Sequence, residues 1–118
     1  MPYYTQGNLG KVIVSNEVVA RIAGYAVISC AGIVGMAAKN MKDGIVQLLK
    51  RESLTKGVHL EFAEDGLHLD FHIIVEYGTN IVAIGEIIVS NVKYNVEEMV
   101  GIKLAKVNIF VEGVRVDK

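Results

Sequence analysis

The sequence predicts an α+β fold, a two-layer sandwich. A small mixed or antiparallel sheet, built on a central hairpin at 57–77, is covered on one face by two main amphipathic helices at about 16–30 and 80–99. Three observations lead there. Residues 57–77 read GVHLEFAEDGLHLDFHIIVEY, two alternating runs around an Asp-Gly pair. That pair, flanked by alternating apolar residues, is the strongest short-range hairpin signal. Two longer stretches carry apolar residues at helical spacing. The hairpin's apolar side then needs a cover, and two amphipathic helices supply one.

Composition narrows the class. At 118 residues the chain is a single domain, 1–118, large enough to bury a core without disulfide or metal. Twelve basic and thirteen acidic side chains leave a formal charge of −1 with no charged block, so electrostatics favour neither nucleic acid nor a bare anionic membrane. The one cysteine, Cys30, sits in an apolar setting; a reducing, cytoplasmic location is expected. MPYYTQGNLGKV lacks a signal-peptide pattern, and no apolar run of about 18 residues predicts direct membrane insertion.

In chain order, residues 1–8 read as a mobile lead-in and 9–14 (LGKVIV) as a short edge strand. Ser15 or Asn16 is placed to cap the first helix, with Glu17 in its first turn. Val18, Val19, Ile22, Ala23, Ala26, Val27 and Cys30 form its apolar stripe, Arg21, Gly24 and Tyr25 fall opposite, and Gly32 ends it. Residues 33–37 form a short apolar strand or crossing, followed by a polar loop at 39–42. Asp43 is placed to cap a second, shorter helix with Ile45, Val46, Leu48 and Leu49 as its stripe and Lys50 and Arg51 at its C-terminal end.

With Asp65 and Gly66 as the hairpin loop, Glu64 faces Leu67, Phe62 faces Leu69, Leu60 faces Phe71, His59 faces His72 and Glu61 faces Asp70. Val58, Leu60, Phe62, Leu67, Leu69, Phe71, Ile73, Val75 and Tyr77 then share the greasy face. The other face is wet, broken only by Ile74. Thr79 or Asn80 caps the longest helix, whose stripe is Ile81, Ile84, Ile88, Val92 and Met99, and Gly101 is its natural C′ residue. Residues 104–116 alternate again as a final strand, Val107, Ile109 and Val111 against Lys106, Asn108, Phe110 and Glu112.

Four stretches carry a resemblance: LGKVIVSNEVVARIAGYAVISCAGIVGMAAKN, KDGIVQLLKRE, DFHIIVEYGTNI and VKYNVEEMVGIKLAKVNIFVEGVRV. Together they resemble the alkaline shock protein family, and within it the short YloU-type branch of Gram-positive bacteria. The resemblance runs from about residue 9 to 116 and brings no catalytic signature. It implies a non-enzymatic structural or adaptor protein of envelope homeostasis and stress, acting through self-association or a membrane-anchored partner, and so peripheral at the membrane. Short-branch members are commonly encoded beside a DhaL-domain kinase of the fatty-acid kinase type, which implies a functional link. Relatives often carry two acids around one apolar residue where this chain has Ser29-Cys30-Ala31.

Four readings compete for a site. His59, Glu61, Asp70 and His72 share the wet face and have the donor chemistry of a zinc patch, yet a solvated sheet face favours such residues anyway. As acids and bases they lack a dry pocket to shift their pKa values. Gly32-Ile33-Val34-Gly35 is formally a GxxG, similar to that of KH nucleic-acid modules, but apolar between its glycines. Cys30 reads as a small core hydrophobe rather than a nucleophile. Assembly carries most weight: Gly32, Ile33, Val34 and Gly35 with Gly113, Val114, Arg115 and Val116 are the expected interaction surface. No catalytic, cofactor or metal residue is assigned. A KH-like nucleic-acid module is the alternative.

Overall fold

The computed structural model describes residues 3–7, 9–39 and 44–116. Strands β1 (Tyr3–Gly7) and β2 (Gly10–Val14) are followed by helix α1 (Asn16–Ile28) and strands β3 (Ile33–Lys39) and β4 (Val46–Leu48). A short 3-10 helix (Arg51–Gly57) leads into strands β5 (Val58–Ala63) and β6 (Gly66–Glu76); helix α2 (Ile81–Val100) and strand β7 (Leu104–Arg115) complete the chain. The α+β two-layer reading holds, with the two helices where the periodicity put them.

Strand β6 organises the sheet. Its first half pairs antiparallel with β5 and its last residues with β3, while β7 runs parallel to it along its whole length. A parallel neighbour needs a crossover of a dozen or more residues, and α2 is that crossover. Leu67, Leu69, Phe71, Ile73 and Val75 are all buried on one side of β6, under Ala23 and Val27 of α1 and Ile84, Ile88, Val92 and Val96 of α2.

Ser15 caps α1 by accepting from the Val18 N–H at 3.3 Å, and Asn80 caps α2 by accepting from the Ala83 N–H at 3.1 Å. Gly101 ends α2 at φ +79, a conformation that costs glycine nothing.

Several expectations are corrected. Residues 3–7 are not a loose lead-in: they pair with β2 as a separate two-stranded arm. Residues 10–14 are accordingly no edge of the main sheet. The arm leaves Leu9, Val12 and Ile13 exposed, and the chain is elongated, with a radius of gyration of 15.1 Å against about 13.5 Å for a compact chain of this length.

The second short helix is absent. Residues 46–48 form β4 on the edge of β3, and 51–57 form the 3-10 turn; the expected cap Asp43 lies outside the described residues. The apolar run of 45–49 fits a half-buried edge strand as well as one helical turn, and pairing with Ala37 and Ala38 decides for the strand. Gly24 is buried, not outward: a Cβ there would run into Leu54 Cδ1, so the glycine lets the 3-10 helix close on α1.

The hairpin register also differs. Ala63 faces Gly66, Phe62 faces Leu67, Leu60 faces Leu69 and Val58 faces Phe71, so Glu64 and Asp65 form the loop. This is a slide of two residues, which leaves every side chain on its expected face. Gly66 enters the strand at φ +132 with Lys103 O 2.7 Å from where a Cβ would stand.

Candidate functional site

The wet face is built from alternate residues of β5, β6 and β7. The slide of two residues puts His59 opposite Asp70 and Glu61 opposite His68, not His59 opposite His72 and Glu61 opposite Asp70. The two imidazoles still meet, now diagonally: their ring centroids are 5.4 Å apart, edge to face. His72 stacks on Phe110 of β7 at 4.9 Å, the rings nearly parallel, and its Nδ1 lies 2.7 Å from Glu112 Oε2. Asp70 accepts from the Asn108 side-chain amide at 2.9 Å. His68 Nε2 lies 2.7 Å from Asp65 Oδ1 in the hairpin turn.

These groups therefore engage one another pairwise. Among the described residues no three His, Cys, Asp or Glu side chains converge on a point that could hold a metal, and within the His59, Glu61, Asp70 and His72 patch the hydrogen bonds of Asp70 and His72 go outside it, to Asn108 and Glu112. Phe110 and Glu112 lie on the face where alternation put them, but only the parallel register of β7 against β6 brings them to His72. No local pattern reveals that long-range pairing.

The exposed Asp65 carboxyl is held below its ordinary value, chiefly by the hydrogen bond from His68. The folded form titrates lower than the unfolded one, so the contact stabilises above the ordinary carboxylate range. That contribution fades as pH falls through the folded value. A carboxyl NMR titration should place the Asp65 midpoint below a free aspartate, and His68→Ala should return it upward.

Cys30 sits at the end of α1, its thiol donating to Ala26 O at 3.4 Å. It is buried, and burial pushes its thiol up while the Asn91 hydrogen bond pulls the other way. Asn91 is the position that sequence reasoning passed over. From α2 its Nδ2 donates to Ala26 O at 2.7 Å and to Ser29 Oγ at 3.1 Å, reaching one of the carbonyls that the end of a helix leaves without an intrahelical partner. The Ser29-Cys30-Ala31 stretch thus sits where α1 meets α2.

The expected interaction segments lie at one end of the sheet. Gly35 and Gly113 both pair with Ile74, one from each side of β6, and the ladder shifts register at both points. Ile74, the apolar break in the wet face, therefore stands between two glycines. Glu76 N donates to Gly32 O and Tyr77 N to Arg115 O, each at 2.9 Å. Val114 and Val116 are exposed, Val34 and Ile33 half-buried and Gly35 buried. The GxxG is no free loop: Ile33 and Gly35 are ladder residues of β3.

Among the described residues no helix is long and apolar enough to cross a membrane. A family model, that of the alkaline shock protein 23 family of cell envelope-related function, matches residues 4–116. The chain is similar to the uncharacterised protein YloU of Bacillus subtilis (strain 168), 44% identical over 108 residues that cover 91% of this chain and 90% of that one. It is 32% identical over 108 residues to Spy1614 of Streptococcus pyogenes serotype M6, covering 91% and 89% respectively. Proteins of Streptococcus pyogenes named stress response regulator gls24 homolog are 27% identical over 109 residues, 90% of this chain but 59% of theirs. No solved structure matches the chain.

Proposed function

The chain belongs to the alkaline shock protein 23 family, whose function is related to the cell envelope, and from that membership we propose that it is a non-enzymatic adaptor working through protein–protein contacts. The resemblance to alkaline shock proteins and their YloU-type branch is borne out by the same matches. One observation carries the adaptor reading. On the wet face His68 bonds Asp65, His72 bonds Glu112 and Asp70 accepts from Asn108, while large apolar side chains stand outside the core: Leu9, Val12 and Ile13 on the arm, Val82, Ile87 and Tyr94 on α2, Val114 and Val116 at the end of β7. Val82, Ile87 and Tyr94 line one depression, and exposed apolar patches mark interaction sites.

The partners in this reading are a second copy of the chain and a membrane-anchored protein, which would hold it peripherally at the cytoplasmic side of the envelope. A DhaL-domain fatty-acid kinase is the functional neighbour to look for. The segments at Gly32–Gly35 and Gly113–Val116, side by side around Ile74, are the proposed contact for the membrane partner. Crosslinking and affinity capture from native cells should recover a membrane protein with the wild type. Arg115→Glu should weaken that recovery severalfold without loss of fold, because Arg115 is exposed and its backbone carbonyl, not its side chain, bonds Tyr77. Equal recovery with Arg115→Glu counts against this surface, and recovery of no membrane protein counts against the adaptor role.

A further inference from the structure

Helix α2 carries a second, outward row of residues, uncharged throughout, that the core does not use. Ile84, Ile88, Val92 and Val96 face the sheet and are buried. On the outward side Ala83, Ile87, Ser90 and Tyr94 follow one another at intervals of four, three and four residues, the spacing of a coiled-coil seam. Ile87 is 54% and Tyr94 68% exposed. All four line one shallow depression of about 760 Å³ along the helix. Between Ile81 and Val92 the only charged side chain is Glu86, and Ile81, Val82, Ile87 and Val89 are exposed apolar residues on those three turns. Such a helix belongs under cover on both sides.

Charge says what the cover is. Glu86 and Lys93 flank the seam one heptad apart, and neither makes an ion pair among the described residues. Two copies of α2 packed antiparallel about a two-fold axis beside Ser90 bring Glu86 of each against Lys93 of the other. One self-complementary patch thus makes the same contact twice, as a two-fold interface requires. Ile87 of each copy then meets Tyr94 of the other. A lipid surface fits less well, because a membrane-lying helix is rich in Lys and Arg on its polar side, whereas α2 has one Lys and three Glu.

Area agrees. The chain exposes 7702 Å², about 1,400 Å² more than the ~6,300 Å² usual for a compact chain of its mass. The arm supplies part of that excess, and a standard interface takes about 800 Å² from each partner.

We propose that α2 is the interface of a two-fold homodimer, with Ala83, Ile87, Ser90 and Tyr94 as its seam and reciprocal Glu86–Lys93 pairs fixing the antiparallel direction. This names the second copy that the adaptor reading invokes, and takes its biological sense from that reading.

Disulfide trapping tests the geometry. Cys30 is the sole cysteine and is buried, so an introduced thiol reports alone. A disulfide needs Cα atoms about 4.4–6.8 Å apart, which in an antiparallel pair only positions near the axis meet. Ser90→Cys should therefore yield a covalent dimer under mild oxidation. Val82→Cys lies eight residues off, about 12 Å along the helix, and should not. Linking of both, or of neither, overturns the arrangement.

Sedimentation of the purified chain tests the energetics. Glu86→Lys and Lys93→Glu should each weaken dimerisation roughly tenfold or more, since each turns two attractions into two repulsions. The double exchange should recover wild-type association, and Ile87→Glu should leave a folded monomer. A monomeric wild type, or a double exchange as weak as the single variants, overturns the homodimer. Neither result touches the membrane-partner half of the adaptor reading, which capture of that partner tests on its own.

Discussion

Phe71→Ala should lower the unfolding free energy by about 3–5 kcal/mol, seen as a fall in melting temperature of roughly 10–20 °C. Phe71 is fully buried at the middle of β6, with Val58 of β5 as its register partner on one side and Ile109 of β7 on the other. Strands hold it from both edges and the helices from above, so the space it leaves cannot close by a small shift of one element. Phe71→Leu keeps most of the volume and should cost under about 1.5 kcal/mol. Urea denaturation followed by circular dichroism measures both. A loss below about 1 kcal/mol for the alanine variant would mean that α1 and α2 do not dock on this face as described.

Gly66→Ala should cost about 2–3 kcal/mol, for two reasons that act together. At φ +132 an alanine is strained, and its methyl would stand 2.7 Å from the backbone carbonyl of Lys103, which cannot rotate away. To relieve that contact the start of β7 must move off β6, breaking the hydrogen bond from Leu67 N to Lys103 O. Gly78→Ala is the control: φ is +90 there, but the methyl meets nothing within 4 Å, so strain acts alone and the cost should be about 1 kcal/mol. Hydrogen exchange at Leu67 should rise in the first variant and not in the second. Equal costs for the two would remove the β6–β7 contact from the explanation.

Much of this was legible in local pattern because local pattern has a period. Alternation through 57–77 assigns each side chain a face whatever the register, so a hairpin slid by two residues still buries Leu67, Leu69 and Phe71 together. Apolar residues at helical spacing, with Asn80 before them and Gly101 after, define α2 nearly to the residue. Where the periods are indistinguishable the reading failed: four apolar residues in 45–49 suit one turn of helix or a short strand equally, and β3 had to supply the partner. Gly24 falls on the solvent side by helical spacing alone, and only the 3-10 helix packed against it makes it a core position.

The chain's own order of residues thus settles which side of each element is greasy, where the helices begin and end, and the kinship with alkaline shock proteins, since all of these depend on near neighbours or on the whole string of residues. Contacts between distant segments are another matter. That β7 lies parallel to β6, that Phe110 and Glu112 reach His72, and that Asn91 closes the end of α1 follow from how separate elements pack. Such pairings carry no periodic mark, because closing a loop between remote residues is decided by the sum of the core's contacts and not by any one stretch.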